Sequence, residues 1–169
     1  LGHMIQDYFE NGDKLNVSIE YIKEDVPLGT AGALSLIKSI PKEPIIVTNG
    51  DVFTDIRFSE ILNFHNNHDA EGTMAVKLHE TQNPYGVVNI KGIEIIDLQE
   101  KPVIKNYINA GVYVLEPLVL NFLLRNNYCD MPLLFIKIKE NNKKIIAFPM
   151  HEPWADVGKM DDLKKLTKE

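Results

Sequence analysis

The chain has 169 residues, 44% of them apolar, with 18 Lys+Arg against 24 Asp+Glu and a formal net charge of −6. A chain this long buries roughly 68–70% of the surface its unfolded form exposes, which excludes disordered, collagen-like and stapled mini-protein classes. No apolar run approaches the ~20 residues needed to cross a bilayer, the acidic balance argues against a nucleic-acid backbone as main partner, and the single Cys129 fits a reducing cytoplasm.

In chain order, the opening residues Leu1 to Met4 do not read as a secretory signal. Met4, Ile5, Tyr8 and Phe9 then fall at helical spacing before Asn11-Gly12, a helix stop. Val17 to Ile22 alternates and predicts a strand. Pro27 to Thr30 is a turn that opens a predicted helix over Ala31 to Ile40, ended by Pro41. Pro44 to Thr48 is a continuous apolar run, the pattern of a strand buried on both faces of a parallel sheet. Ser59 is the expected N-cap of a helix reaching Asn66, and Thr73 to Leu78 is the next strand. Gly86 to Ile90, Ile93 to Gln99 and Ala110 to Leu115 follow too closely for helices between them and predict an antiparallel insertion. Leu118 to Arg125 and Pro132 to Glu140 read as helices, Lys144 to Phe148 as a strand and Met160 to Leu166 as a closing helix. This alternation predicts a Rossmann-like three-layer α/β fold with a mostly parallel sheet and a small antiparallel insertion. Tyr8, Phe9 and Tyr21 are expected in the core, and Cys129 as a small buried hydrophobe.

Open α/β sheets bind ligands beyond the carboxyl ends of their strands, so polar clusters there carry the functional expectation. Leu28-Gly29-Thr30-Ala31-Gly32 stands at a helix N-terminus, where free N–H groups can face an anionic or flat ligand; it is equally readable as an ordinary capped turn. Asn49-Gly50-Asp51 ends a strand and offers a carboxylate to a hard cation, or simply an Asx turn. Glu100-Lys101-Pro102 pairs a hydroxyl acceptor with a phosphate-binding ammonium, or is a solvated ion pair. Asn109-Ala110-Gly111 and Trp154-Ala155-Asp156-Val157-Gly158 add an amide for a hydroxylated ligand and a second carboxylate. The histidines, His65, His68, His79 and His151 among them, lack the spacing of a zinc site.

Together with Tyr85-Gly86-Val87-Val88, these clusters in this order resemble the sugar-1-phosphate nucleotidyltransferases, the nucleotide-sugar pyrophosphorylases that include mannose-1-phosphate guanylyltransferases and glucose-1-phosphate thymidylyltransferases. The resemblance runs over essentially the whole chain. It implies that Leu28, Gly29, Thr30 and Gly32 lie against the nucleobase, that Asp51 and Asp156 hold Mg2+, and that Asn49 stands in the substrate site beside Asp51. It implies further that Gly86 meets the sugar through its backbone, Glu100 and Asn109 through their side chains, and that Lys101 meets the sugar phosphate. The catalytic set implied is Lys101, Asp51 and Asp156.

The implied reaction transfers a nucleotidyl group from a nucleoside triphosphate to a sugar 1-phosphate, giving a nucleotide-diphosphate sugar and pyrophosphate without a protein nucleophile. The surroundings of Asp130-Met131-Pro132 and Trp154 to Gly158 look most like the guanylyl branch. The family's opening strand and glycine-rich loop, G-x-G-T-R, do not occur in this sequence. The expectation is therefore a single nucleotidyltransferase domain over residues 1–169, truncated at its N-terminus by at least one βαβ unit of roughly 30 residues and inactive alone. The alternative is a non-catalytic nucleotide-sugar-binding regulatory domain. A glycosyltransferase ranks last, since Asn49-Gly50-Asp51 lacks the first carboxylate of an Asp-x-Asp motif. Expected partners are the triphosphate and the sugar 1-phosphate, with no nucleic acid and no membrane; a homo-oligomer is compatible with the sequence.

Overall fold

Every residue from Ala110 to Leu115 is buried, and the computed structural model, which describes residues 2–158, is built around this segment. The segment belongs to β6 (Val103–Leu115), an inner strand of a four-stranded sheet ordered β1 (Ile45–Thr48), β6, β3 (Gly72–Gln82) and β7 (Ile145–Met150). Successive side chains of a strand point to opposite faces, and β6 follows this rule. Tyr113 and Leu115 join Met131, Leu134, Phe135 and Ile138 of α4 (Met131–Glu140). Ala110, Val112 and Val114 join Ile61 of α3 (Phe58–Asn66), together with Ala75 and Met150. The two core clusters thus bring one helix to each face of the sheet. Each fully buried aliphatic side chain contributes about 1.5–3 kcal/mol.

The sheet is mixed where the alternation of elements predicts a mostly parallel one. β6 runs antiparallel to both β1 and β3, and only β3 with β7 is parallel. The cause lies in the insertion. β4 (Val87–Lys91) and β5 (Glu94–Gln99) form their own antiparallel pair, and the chain leaving them returns directly along β3, which needs no crossover helix. Pro44 to Thr48 is correspondingly not central: β1 is an edge strand whose burial alternates between half-buried and exposed.

Other local expectations also change. Val17 to Ile22 has no regular secondary structure and pairs with no strand among the described residues, and Val17, Tyr21 and Ile22 are exposed; alternation makes a strand only when a ladder partner exists. Tyr8 and Phe9 lie on the exposed face of α1 (Gly2–Phe9), which buries none of its residues, so neither they nor Tyr21 belong to the core. The helix expected over Ala31 to Ile40 shrinks to α2 (Gly29–Gly32) and a 3-10 turn over Ala33–Leu36, because Ile37 turns to extended backbone. Arg57, not Ser59, precedes α3. Leu118 to Arg125 becomes a 3-10 segment over Pro117–Phe122. The helix expected over 160–166 lies outside the described residues. No helix among the described residues is long and apolar enough to cross a membrane.

Candidate functional site

Asp51 and Asp156 come together through a ladder that the sequence did not announce. β2 (Val52–Thr54) pairs antiparallel with β8 (Trp154–Asp156), with Val52 opposite Asp156. The Val157 N–H donates to the Asp51 carbonyl at 2.8 Å and closes the end of the ladder. The Gly158 N–H donates to Asp156 Oδ1 at 2.9 Å and so orients that carboxylate. A Cβ built on Gly158 would stand 3.0 Å from Asp156 Oδ1 and 3.1 Å from Asp51 Oδ2, so both carboxylates face one spot kept open by the missing side chain. No third His, Cys, Asp or Glu completes a cluster with them among the described residues. Two exposed carboxylates beside an open spot are the donor set that suits a hard divalent cation, whose remaining positions go to phosphate oxygens and water.

Asn49 and Asn109 both bond the backbone of Gly111. The register between β3 and β6 slips between Met74 and Val76, so the partner strand carries a bulge at Ala110-Gly111. Gly111 has φ +74°, and a Cβ there would lie 2.8 Å from Val52 Cγ2 and 3.0 Å from Asn49 Nδ2, so only glycine fits between them. The Asn49 N–H donates to the Gly111 carbonyl at 2.9 Å. The Gly111 N–H in turn donates to Asn109 Oδ1 at 3.0 Å, while Asn109 Nδ2 donates to Tyr113 Oη at 2.7 Å. The Trp154 indole N–H donates to the Ala110 carbonyl at 2.8 Å, tying the bulge to the strand that carries Asp156. Burial pushes the Tyr113 hydroxyl pKa up, and the Asn109 hydrogen bond opposes that.

Gly86, Glu100 and Lys101 form a second group. A Cβ on Gly86 would lie 3.0 Å from Glu100 Oε2, so the two residues face each other across the hairpin base. Lys101 holds a left-handed backbone, φ +45°, in the tight link between β5 and β6, and its side chain is exposed. No hydrogen bond among the described residues joins this group to Asp51 or Asp156.

Leu28 to Gly32 has a different setting from the one expected of a free helix N-terminus. The N–H groups of Ala31 and Gly32 both donate to the Cys129 carbonyl, at 2.9 and 3.0 Å, and the Thr30 N–H donates to Asp130 Oδ1 at 3.3 Å. Thr30 Oγ1 accepts the N–H of Met131 at 2.8 Å, at the start of α4. A Cβ on Gly29 or Gly32 would strike the 127–130 segment. Those N–H groups are thus taken up inside the protein; Leu28, Ala31 and Gly32 are buried, Gly29 is half-buried and Thr30 alone is exposed. Sequence reasoning missed Tyr113 and gave Gly158 no role of its own; the one is a core aromatic by composition and the other a loop glycine.

The histidine and cysteine readings need little revision. His65 is buried, its Nδ1 paired with Thr73 Oγ1 at 2.8 Å and its Nε2 with Glu116 Oε1 at 3.2 Å. Cys129 is buried, and burial pushes its thiol pKa up, away from a reactive thiolate.

Comparison with known proteins gives the family. A mannose-1-phosphate guanylyltransferase catalytic subunit beta of Dictyostelium discoideum is 34% identical over 166 residues, covering 94% of this chain and 46% of its own. The subunit of the same name from Drosophila pseudoobscura pseudoobscura is 36% identical over 156 residues, covering 89% and 42%. The chain thus spans about half the length of the curated relatives it matches. Among solved structures, a Bacillus anthracis protein described as a glucose-1-phosphate thymidylyltransferase superposes with a TM-score of 0.73 at 20% identity, over 98% of this chain and 70% of that one. HddC from Yersinia pseudotuberculosis gives 0.66 at 21% identity, over 98% and 72%; both share the fold. The family model for nucleotidyl transferases matches residues 1–169, and the chain belongs to that family.

Proposed function

We propose that the intact protein carrying this chain is a sugar-1-phosphate nucleotidyltransferase, with mannose 1-phosphate and guanosine triphosphate as the first substrate pair to test. The observation that carries this reading is the β2–β8 ladder, which turns the carboxylates of Asp51 and Asp156 toward one open spot at Gly158. The names of the Dictyostelium and Drosophila relatives favour the guanylyl and mannose choice.

In this reaction an oxygen of the sugar 1-phosphate forms a bond to the α-phosphorus of the triphosphate in line. The bond from that phosphorus to the bridging oxygen breaks, and pyrophosphate leaves with the electron pair. Asp51 and Asp156 would hold magnesium, which would supply neutralisation of phosphate charge. The chain's own residues do the positioning, which is where most of the barrier reduction for such a transfer resides. Asn109 and Glu100 hold sugar hydroxyls, the Gly86 backbone supports the sugar, and Lys101 sets its ammonium against the sugar phosphate. Asn49 fixes the strand end beside Asp51, and the Leu28 to Gly32 stretch meets the nucleobase through the exposed Thr30 and the half-buried Gly29. The lone Cys129 suits a reducing, cytoplasmic setting.

The test is pyrophosphate release by the intact protein across a panel of triphosphates and sugar 1-phosphates. Release that requires GTP, mannose 1-phosphate and a divalent cation is expected, and Asp156→Asn lowers turnover and metal dependence together. Binding of GDP-mannose with no release from any pair would replace this reading with that of a regulatory nucleotide-sugar-binding domain.

A further inference from the structure

We infer that Tyr113 is a positioning residue for the sugar site, acting through Asn109; the inference rests on the sugar role proposed for Asn109. Tyr113 is among the largest fully buried side chains, 1% exposed, and its ring packs against Phe135 at a centroid distance of 5.8 Å on the α4 side of the sheet. A phenylalanine would fill that core equally well. The hydroxyl nevertheless reaches out of the core to an exposed residue, accepting the Asn109 Nδ2 hydrogen bond at 2.7 Å.

The amide orientation follows from donor chemistry. The Gly111 backbone N–H can only donate, and it lies 3.0 Å from one end of the Asn109 amide, so that end is the oxygen and the nitrogen faces Tyr113. Tyr113 therefore accepts. Asn109 is gripped at both ends, with one N–H and one oxygen lone pair left to offer outward, a donor and an acceptor side by side for a sugar hydroxyl. The Gly111 contact alone leaves the nitrogen end unheld. The left-handed kink at Gly111 brings the two side chains within reach, because four residues of regular strand span ~13 Å.

The experiment compares Tyr113→Phe with Asn109→Ala in the intact protein, measuring the Kd and KM for mannose 1-phosphate, kcat, the KM for GTP and the Tm. Tyr113→Phe keeps the core volume and frees an amide hydrogen that water can solvate, so Tm is expected to hold. The Kd and KM for mannose 1-phosphate rise about fivefold, the size of one ordinary hydrogen bond, at unchanged kcat and unchanged KM for GTP. Asn109→Ala raises the same two constants by more, and Tyr113→Phe adds nothing on top of it. If Asn109→Ala weakens sugar phosphate and Tyr113→Phe does not, or only lowers Tm, the positioning role is overturned while the sugar reading stands. If Asn109→Ala leaves sugar phosphate binding intact, the sugar reading itself fails and takes this inference with it.

Discussion

Trp154 donates its indole N–H to the carbonyl of Ala110 at 2.8 Å, and this bond ties the strand that carries Asp156 to the bulge that follows Asn109. Ala110 is fully buried, so its carbonyl cannot turn to water if the indole is removed. Trp154→Phe keeps an aromatic ring and deletes the donor. It is expected to cost about 1–3 kcal/mol of stability, read as a lower urea midpoint at unchanged slope. It is also expected to weaken Mn2+ binding, because β8 loses its anchor. An unchanged midpoint would mean that the bond is incidental to how the two segments are joined.

Gly158 tests the carboxylate pair without touching either carboxylate. Its φ lies outside the left-handed range, so an alanine there meets no backbone strain, only the two oxygens 3.0 and 3.1 Å from its methyl carbon. Gly158→Ala is expected to leave the Tm in place and to weaken Mn2+ binding, followed by water proton relaxation, by about tenfold, the scale on which groups supporting a metal ligand act. Equal Mn2+ affinity in the two proteins would remove this spot as a cation site.

What the sequence made legible was composition along a segment, and what it hid was pairing between distant segments. The apolar run from Ala110 to Leu115 identified a buried strand, and the close spacing after Gly86 identified the hairpin. Pro44 to Thr48 has nearly the same apolar character, yet it lies at the sheet edge, because centre and edge are decided by which strands flank a run and not by the run itself. Asp51 and Asp156 could be nominated singly, as acidic residues in turns. Their juxtaposition needed the β2–β8 ladder, whose strands are only three residues each and too short to show a period. The resemblance to a family supplied roles, and the structure supplied the partners that no motif contains: Tyr113 for Asn109, and Cys129 for Ala31 and Gly32.

Thr30 separates two functions of the Leu28 to Gly32 stretch. Its hydroxyl accepts the Met131 N–H at 2.8 Å, so it satisfies a free donor at the start of α4 from outside the helix. Thr30→Val preserves shape and removes the acceptor, and it is expected to destabilise the fold by about 1 kcal/mol, as loss of a helix cap does. The KM for the triphosphate tells whether the stretch also serves the nucleobase: an increase beyond what the lost stability explains assigns Thr30 to the substrate, and an unchanged value confines it to holding α4.

Glu71 gives the fold an acid-sensitive tie remote from the carboxylate pair. The Lys143 ammonium, 3.0 Å from Glu71 Oε1, holds the Glu71 carboxyl below its ordinary pKa of 4.5, with help from the Lys144 backbone N–H and against a desolvation penalty. A carboxyl whose pKa is lower in the folded state favours folding when ionised. Its contribution is therefore complete above pH 4.5 and is lost as pH falls through the depressed folded value. Glu71→Gln imitates the protonated side chain. Its unfolding free energy at pH 7 is expected to fall below that of the parent by up to about 1 kcal/mol, the range of a single partly exposed ion pair. The two proteins converge as the pH is taken down through the folded pKa. A difference that persisted below the folded pKa would have to come from packing or neutral hydrogen bonding at residue 71, since the parent carboxyl carries no charge there for Lys143 to hold.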